Sequence, residues 1–215
     1  MKRLHYSSGI ISFLNRAADI MALNVAFLVA CLPIFTYGPA RTALYACTIK
    51  WTQHEDAGLT TFIKEFKRNF RCSLLPGLLM LVLTAILYAD LTVVFMGEAK
   101  KWTMITTIIV ALLFFPYREQ MFLFAARFEC GFMALLRNTL IMNITNFFGG
   151  ILSALLMAIP MLILIFTPAS FIQLTLVWLF GYYALAAWVC AILSRKTHNL
   201  VIAEHAPQSE NQTDT

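Results

Sequence analysis

The residues best placed to do chemistry are four charged side chains that interrupt apolar stretches, namely Asp90, Arg41, Arg118 and Glu119. Ionisable groups are energetically unfavourable inside a bilayer, so each is a candidate for an ion or proton site. In one interpretation Asp90 pairs with Arg41, and Arg118 and Glu119 form a charge pair that lines a cavity. In the structural alternative, Asp90 reaches solvent near Lys100, and Arg118 and Glu119 extend from a helix end to the membrane surface.

Two further groups of polar residues have simpler interpretations. Asn24 lies in an apolar stretch and is predicted to form a hydrogen bond between helices. His54, Glu55 and Asp56 are three adjacent metal-ligand types, but neighbours in sequence rarely bind one ion together and no H-E-x-x-H motif accompanies them. Asp56 is therefore interpreted as the N-cap of a helix. The sequence shows no nucleophile–base pair, metal-ligand set or phosphate-binding loop, so we expect neither an enzyme nor a bound cofactor.

The composition indicates the environment of these residues. Of the 215 residues, 60% are hydrophobic and 13% are charged, and the mean hydropathy is +0.75. An average soluble domain is about 45–50% apolar and about 25% charged. The values exclude a disordered chain, a basic nucleic-acid-binding domain and an ordinary cytosolic enzyme. We interpret the net charge of +5 as an excess of basic residues on the cytoplasmic side of membrane helices.

The apolar residues form blocks long enough to cross a bilayer, which requires about 20 residues per helix. Residues 138–194 contain no Lys, Arg, Asp or Glu and hold two predicted spans, separated by a turn at Thr167–Ser170. The first predicted span is broken by Pro33, Gly38 and Pro39. The sequence therefore predicts an all-α polytopic membrane bundle with about five transmembrane helices. The predicted spans are 20–37, 74–97, 102–125, 144–166 and 171–193.

The polar segments determine the predicted organisation around these spans. Residues 58–71 have amphipathic spacing and are predicted to form a cytoplasmic helix in the headgroup region. Residues 1–196 are predicted to form one membrane domain, and the polar tail 197–215 to be disordered and cytoplasmic. The distribution of Lys and Arg leaves two topologies open. Either the first segment crosses the membrane once, or residues 38–51 return through it and place the N-terminus in the cytoplasm as well.

Small residues at helical spacing predict close packing between helices. Gly150, Ala154 and Ala158 recur every four residues on one predicted span, and Gly181 begins a similar series on the last span. In lipid, such series allow helices to approach closely. We expect a tightly packed hairpin of the last two spans, with a homodimer face as the alternative.

The first third of the chain contains a set of short motifs: Asn24, Leu32-Pro33-Ile34, Thr36-Tyr37-Gly38, Thr42-Ala43-Leu44-Tyr45, Phe62, Phe66-Lys67 and Asn69-Phe70. This set resembles the YesL-like family, which comprises bacterial integral membrane proteins of unknown function. The motifs cover roughly residues 15–75, and Pro39 and Arg41 depart from the family pattern. The resemblance implies a multi-pass protein of the bacterial plasma membrane, with subunits of an ATP-driven carbohydrate importer as partners. It provides no catalytic residues.

These observations lead to two hypotheses of function. The first is a non-enzymatic accessory or assembly factor that acts through helix–helix contacts, with the lipid bilayer and a carbohydrate importer as partners and no nucleic acid. The second is a small transporter or channel subunit in which Asp90, Arg41, Arg118 and Glu119 line a polar path.

Overall fold

Every element of the described residues is helical. The computed structural model describes residues 9–97, 101–128, 131–166 and 178–194. The α-helices are α1 (Gly9–Ala30), α2 (Tyr37–Thr52), α3 (Leu59–Phe95), α4 (Lys101–Ala125), α5 (Phe132–Thr145), α6 (Phe147–Phe166) and α7 (Tyr183–Leu193). A 3₁₀ turn at Ile34–Thr36 precedes α2, and a π-helical turn at Trp178–Tyr182 precedes α7.

The all-α prediction is confirmed for these residues. The predicted tail 197–215, most of the loop 98–101, the turn at Thr167–Ser170 and the first part of the span 171–193 lie outside the described residues.

The described helices include two that are long and apolar enough to cross a membrane, namely Leu59–Val94 within α3 and the whole of α4. Helices α5 and α6 form a bent pair with an angle of 103° between them, which adds a third span if the pair is treated as one broken segment. Residues 180–193 form a shorter apolar helix. The apolar helices indicate a membrane protein, and their length and composition support two or three spans within the described residues.

Helix α3 joins two elements that the sequence analysis separated. Its 37 residues cover nearly all of the predicted interfacial helix 58–71 and of the predicted span 74–97 without interruption. A helix of this length extends about 55 Å, well beyond the ~30 Å hydrocarbon core of a bilayer. The structure thus joins the two predicted segments into one helix that continues through Pro76 and Gly77, and the headgroup placement of residues 58–71 stays a prediction.

The ends of α3 are formed by glycines. Gly58 is its N-cap residue and makes no side-chain capping bond, so the prediction of Asp56 as the N-cap was wrong. Gly97 follows the helix with a φ of 78°, the left-handed conformation that commonly ends an α-helix.

The first predicted span, 20–37, also has different boundaries in the structure. Helix α1 ends at Ala30, and the chain turns around Pro33 before α2 begins at Tyr37. Gly38 and Pro39 lie in the first turn of α2 and do not break a helix. Proline is tolerated there because the N–H groups of the first turn have no intrahelical partner.

Helix α2 lies at the centre of the fold. It packs against α3, α4 and α7, and 14 of its 16 residues are buried. A helix covered in this way can carry polar side chains at membrane depth, because its neighbours and not lipid surround them. Residues 38–51 therefore form a protein-covered helix, and the choice between the two predicted topologies stays a prediction.

Two glycines form the closest approach between α2 and α3. A Cβ atom on Gly38 would lie 2.5 Å from the Ser73 carbonyl oxygen and 2.7 Å from the Gly77 Cα atom. A Cβ atom on Gly77 would lie 2.5 Å from the Gly38 Cα atom. Backbone touches backbone at this point, and only glycine leaves room for that contact.

Helix α5 is an element that the sequence analysis missed. The predicted spans left residues 126–143 unassigned, and the span predicted at 144–166 begins in the structure at Phe147. One face of α5 is buried, and it includes Leu135, Thr139 and Met142. Since α5 meets α6 at almost a right angle, the two helices cannot share one continuous apolar face, and a search for long apolar blocks does not find α5.

We expect Gly38→Ala to destabilise the protein, because overpacking at a close contact costs about 1–3 kcal/mol. For a chain of this size we expect a fall in melting temperature on the order of 5 °C. Melting of the purified protein in detergent, followed by size-exclusion chromatography after heating, measures the effect. Gly181→Ala is the matched control, since a Cβ atom at this helical glycine would have its nearest neighbour at an ordinary 3.4 Å. Equal melting of Gly38→Ala and wild type would contradict the backbone contact.

Candidate functional site

The main candidate site is a buried ion cluster around the carboxylate of Glu119 on α4. The Glu119 side chain is 1% exposed. Its Oε2 atom accepts hydrogen bonds from Arg41 Nη2 at 2.5 Å and from Tyr45 Oη at 2.9 Å. Its Oε1 atom accepts from Arg118 Nη2 at 2.8 Å and from Arg118 Nε at 3.3 Å. Both carboxylate oxygens are used, and charge-assisted hydrogen bonds join α4 to α2.

Two tyrosines of α2 flank Arg41, one helical turn before it and one turn after it. Tyr37, Arg41 and Tyr45 follow each other at intervals of four residues, so they share one helix face. Arg41 Nη1 donates a hydrogen bond to Tyr37 Oη at 2.6 Å. The Arg41 Cζ atom lies 5.5 and 5.9 Å from the ring centroids of Tyr37 and Tyr45, within cation–π range. This Tyr-x₃-Arg-x₃-Tyr spacing is visible in the sequence, although the sequence analysis did not select the tyrosines.

Arg118 connects the cluster to α3. Its Nη1 atom lies 3.3 Å from Thr84 Oγ1, within hydrogen-bond distance, and its Cζ atom lies 5.2 Å from the centroid of the Phe115 ring. The predicted alternative, in which Arg118 and Glu119 extend to the membrane surface, does not fit the structure. The Glu119 carboxylate is bound on both oxygens inside the bundle, where it is covered by α2 and α4.

The cluster has two guanidinium groups for one carboxylate. With all three groups ionised its net charge is +1, and Arg41 Nε makes no hydrogen bond within the described part of the chain. Such an arrangement can fix three helices relative to one another and can stabilise negative charge nearby.

A second set of polar contacts involves Gln120, the residue that follows Glu119 on α4. Asn146 Nδ2 donates a hydrogen bond to Ser194 Oγ at 3.2 Å, and Ser194 Oγ lies 3.5 Å from Gln120 Oε1. These contacts connect α4 with the break between α5 and α6 and with the end of α7. The polar interior therefore continues from Glu119 across the bundle.

Asp90 does not belong to this cluster. Its side chain lies on the exposed side of α3. The carboxylate that pairs with Arg41 is Glu119, and this pair replaces the predicted pair of Arg41 and Asp90. The structure thus brings together three of the four charged candidates, Arg41, Arg118 and Glu119, and leaves the fourth at the surface.

Asn24 connects α1 with the π-helical turn before α7. Its side chain is fully buried. Asn24 Nδ2 donates to the Trp178 carbonyl oxygen at 2.8 Å, and its Oδ1 accepts from the Ala184 N–H at 3.2 Å. These bonds supply partners to backbone groups where the π-helical turn changes to an α-helix. Asn24 therefore makes interhelical hydrogen bonds of the kind that its residue type predicted.

A second buried carboxylate, Glu65 on α3, was missed by the sequence analysis. Its side chain is 1% exposed and pairs with Lys50 Nζ at 2.9 Å and with Arg68 Nη2 at 2.6 Å. Both basic residues of α2, Arg41 and Lys50, thus bind a buried glutamate on a neighbouring helix. The available signal was helical spacing, since Phe62, Glu65 and Asn69 recur at three and four residues and form the buried face of α3.

The predicted packing residues contact helices other than those expected. A Cβ atom on Gly150 of α6 would lie 3.1 Å from Pro116 Cβ on α4, and one on Gly181 would lie 3.4 Å from Ile20 Cγ2 on α1. Between α7 and α6, Cys190 Sγ donates to the Ser153 carbonyl oxygen at 3.9 Å, and the hydroxyl of Tyr182 in the π-helical turn donates to the Leu156 carbonyl oxygen at 2.5 Å. The described parts of the last two helices are in contact, but these glycines pack against α4 and α1.

The same burial bears on the predicted homodimer face. Gly150 and Ala154 are buried within one chain, and Ala158 is partly buried in an apolar groove between α3, α4 and α6. The first two are therefore not available for contact with a second copy. The described residues include no group of three His, Cys, Asp or Glu side chains that could hold a metal ion.

Comparison with known proteins gives one match. Residues 20–91, about a third of the chain, match a family described as "Protein of unknown function, DUF624". The chain is therefore similar to an uncharacterised family over the second half of α1, all of α2 and most of α3. No curated protein and no solved structure matches the chain.

We expect Glu119→Gln to reduce strongly the amount of folded protein, because it leaves two guanidinium groups in the interior without a counter-charge. Breaking a buried ion pair costs about 3–5 kcal/mol. Glu65→Gln is the matched comparison. Its partners Lys50 and Arg68 are 31% and 45% exposed, so water compensates for the lost pairing. We expect a smaller effect there, about 1 kcal/mol. The measurements are the yield of monodisperse protein and its melting temperature.

The double variant Arg41→Gln with Glu119→Gln tests the pairing itself. We expect it to melt at a higher temperature than Glu119→Gln alone, since one of the two unpaired cations is gone. In a double-mutant cycle this appears as a coupling between the two positions. Strictly additive effects of the two single substitutions would contradict a direct interaction.

Proposed function

We propose that this chain is a non-enzymatic membrane accessory or assembly protein that acts through helix–helix contacts. The observation that carries the proposal is the closed charge cluster. The charged groups of Arg41, Arg118 and Glu119 bind one another. They also form hydrogen bonds with two tyrosines and with Thr84. Charges that bind each other stabilise a helix arrangement, whereas a conduction path requires groups that remain available to a solute.

The outer surface supports the same proposal. Large apolar side chains are exposed along the outer faces of α3 and α4, among them Leu75, Ile86, Ile109 and Leu113. In a bilayer these faces contact lipid or the helices of another membrane protein. A protein with a fixed interior and long apolar outer faces is suited to lateral association.

The proposed topology has about five spans with a broken first segment in the bacterial plasma membrane and a cytoplasmic C-terminus. In this arrangement the first half of α3, with exposed Lys64, Lys67 and Arg71, lies at the cytoplasmic headgroups. The excess of basic residues in this segment supports its cytoplasmic placement. Homodimerisation is compatible with the proposal, but through faces other than Gly150 and Ala154.

The proposed partner class is the membrane subunits of an ATP-driven carbohydrate importer. It rests on the resemblance of residues 15–75 to the YesL-like family, and the match to the uncharacterised family at 20–91 overlaps this region. The second candidate is a small transporter or channel subunit. The exposed carboxylate of Asp90 on α3 and the net positive charge of the cluster favour this alternative.

Thiol labelling tests the topology. Cys72 on α3 is exposed, whereas Cys47 and Cys190 are buried. We expect a membrane-impermeant maleimide to label Cys72 in inverted membrane vesicles and not in right-side-out vesicles. In a chain whose other four cysteines are replaced by serine, Cys72→Ser should remove the signal, and Met96→Cys in that cysteine-free chain should show the reverse pattern. Labelling of Cys72 from the outside would contradict a cytoplasmic first half of α3.

A comparison of partner binding with uptake tests the function. We expect the tagged protein, purified in mild detergent, to retain permease subunits of a carbohydrate importer. We also expect Asp90→Asn to leave both this retention and sugar uptake unchanged, because Asp90 lies outside the cluster. Asp90→Glu is the matched control that keeps the charge. Loss of uptake in Asp90→Asn, with normal expression and no retained permease, would contradict the accessory role and support the transporter.

A further inference from the structure

An apolar groove lies between α1 and the first half of α3. Its volume is about 580 Å³, and its walls include Val25 and Ala26 from α1, Ile63 and Phe66 from α3, and Phe180 from the π-helical turn. Val25, Ile63 and Phe180 are exposed at its rim, so the groove opens at the protein surface. The size lies within the range of about 300–1,000 Å³ that is typical of sites for small apolar ligands.

The same half of α3 carries a row of cations beside the groove. Lys64, Lys67 and Arg71 are exposed. Lys67 follows Ile63 by four residues and Arg71 follows Lys67 by four, so they continue along the helix from the groove wall. The acidic residue of this segment, Glu65, is buried and paired, and the exposed charge of the segment is therefore basic.

The two ends of the groove differ in charge. At the start of α3, a polar cavity is lined by Asp19 and Asp56 together with Arg16. Toward the middle of α3 the exposed ionisable residues are Lys67, Arg68 and Arg71, of which Arg68 is paired with Glu65. An anionic group is thus favoured at the Lys67 end of the groove and not at its Gly58 end.

We propose that this groove binds one acyl chain of an anionic phospholipid, with the lipid phosphate against Lys67 and Arg71. An apolar helix of a partner protein would fill the groove but would not bind the row of cations. A free anion would bind the cations but would leave the apolar groove unfilled. A single amphiphile with a negative headgroup uses both features. The site goes beyond the proposed accessory function and does not depend on it.

The experiment is a lipid titration of the delipidated, detergent-purified protein, followed by native mass spectrometry. Dioleoyl phosphatidylglycerol and dioleoyl phosphatidylcholine have the same acyl chains and differ in headgroup charge. We expect tighter binding of phosphatidylglycerol. We expect Lys67→Gln with Arg71→Gln to weaken its binding about 25-fold, at about fivefold per cation, and to leave phosphatidylcholine binding unchanged. Arg137→Gln, which removes an exposed cation on α5, is the matched control.

A substitution in the groove tests the acyl-chain half of the proposal. Ala26→Phe fills the groove and should weaken binding of both lipids, whereas Ala111→Phe in a different apolar groove should not. Only variants that elute and melt like wild type are compared. The wild-type titration stands by itself, and equal binding of the two lipids would overturn the proposal. Unchanged selectivity in the charge variant, no effect of Ala26→Phe, or displacement of the lipid by millimolar inorganic phosphate would overturn it as well.

Discussion

The burial of the Glu119 carboxylate is the constraint on which the arrangement of helices depends. An ionised carboxylate in an apolar interior is stable only when opposite charges and hydrogen-bond donors surround it. Arg118 provides one part from the same helix, and Arg41 and Tyr45 provide the other from α2. Because Arg41 is equally unfavourable without Glu119, α2 and α4 must meet at this point. The position of α2 in the middle of the bundle follows from that requirement.

Helix α2 is held in the middle of the bundle by two kinds of interaction, namely ion pairs and a close backbone contact. Arg41 and Lys50 bind buried carboxylates on α4 and α3, respectively. The contact of Gly38 with Gly77 brings the α2 and α3 backbones together and leaves no room for lipid between them. Electrostatic pairing and close backbone contact therefore act on the same short helix. A helix with so many polar residues is stable in a membrane protein only when its neighbours cover it on all sides.

The charges of this protein consequently divide by location. Glu119, Arg41 and Arg118 lie inside and bind one another, whereas Lys64, Lys67 and Arg71 lie outside along α3. The inner group acts on the stability of the bundle, and the outer group is exposed on the first half of α3. This division is the physical basis of the proposed accessory role, in which the interior is fixed and the outer faces make the contacts.

The sequence by itself determined the class of the protein and the existence of its main helices. Blocks of apolar residues with few charges are unfavourable in water, so α3, α4 and α6 could be recognised as apolar helices without knowledge of their neighbours. Asn24 could be assigned an interhelical bond for the same reason, since an amide in an apolar stretch needs a polar partner. The tertiary structure alone decided which partners were chosen. Glu119 rather than Asp90 pairs with Arg41, Glu65 is buried among basic neighbours, and α5 lies almost perpendicular to α6. Local spacing reports which face of a helix is polar, but ion pairing between residues 78 positions apart depends on how the helices cross in space.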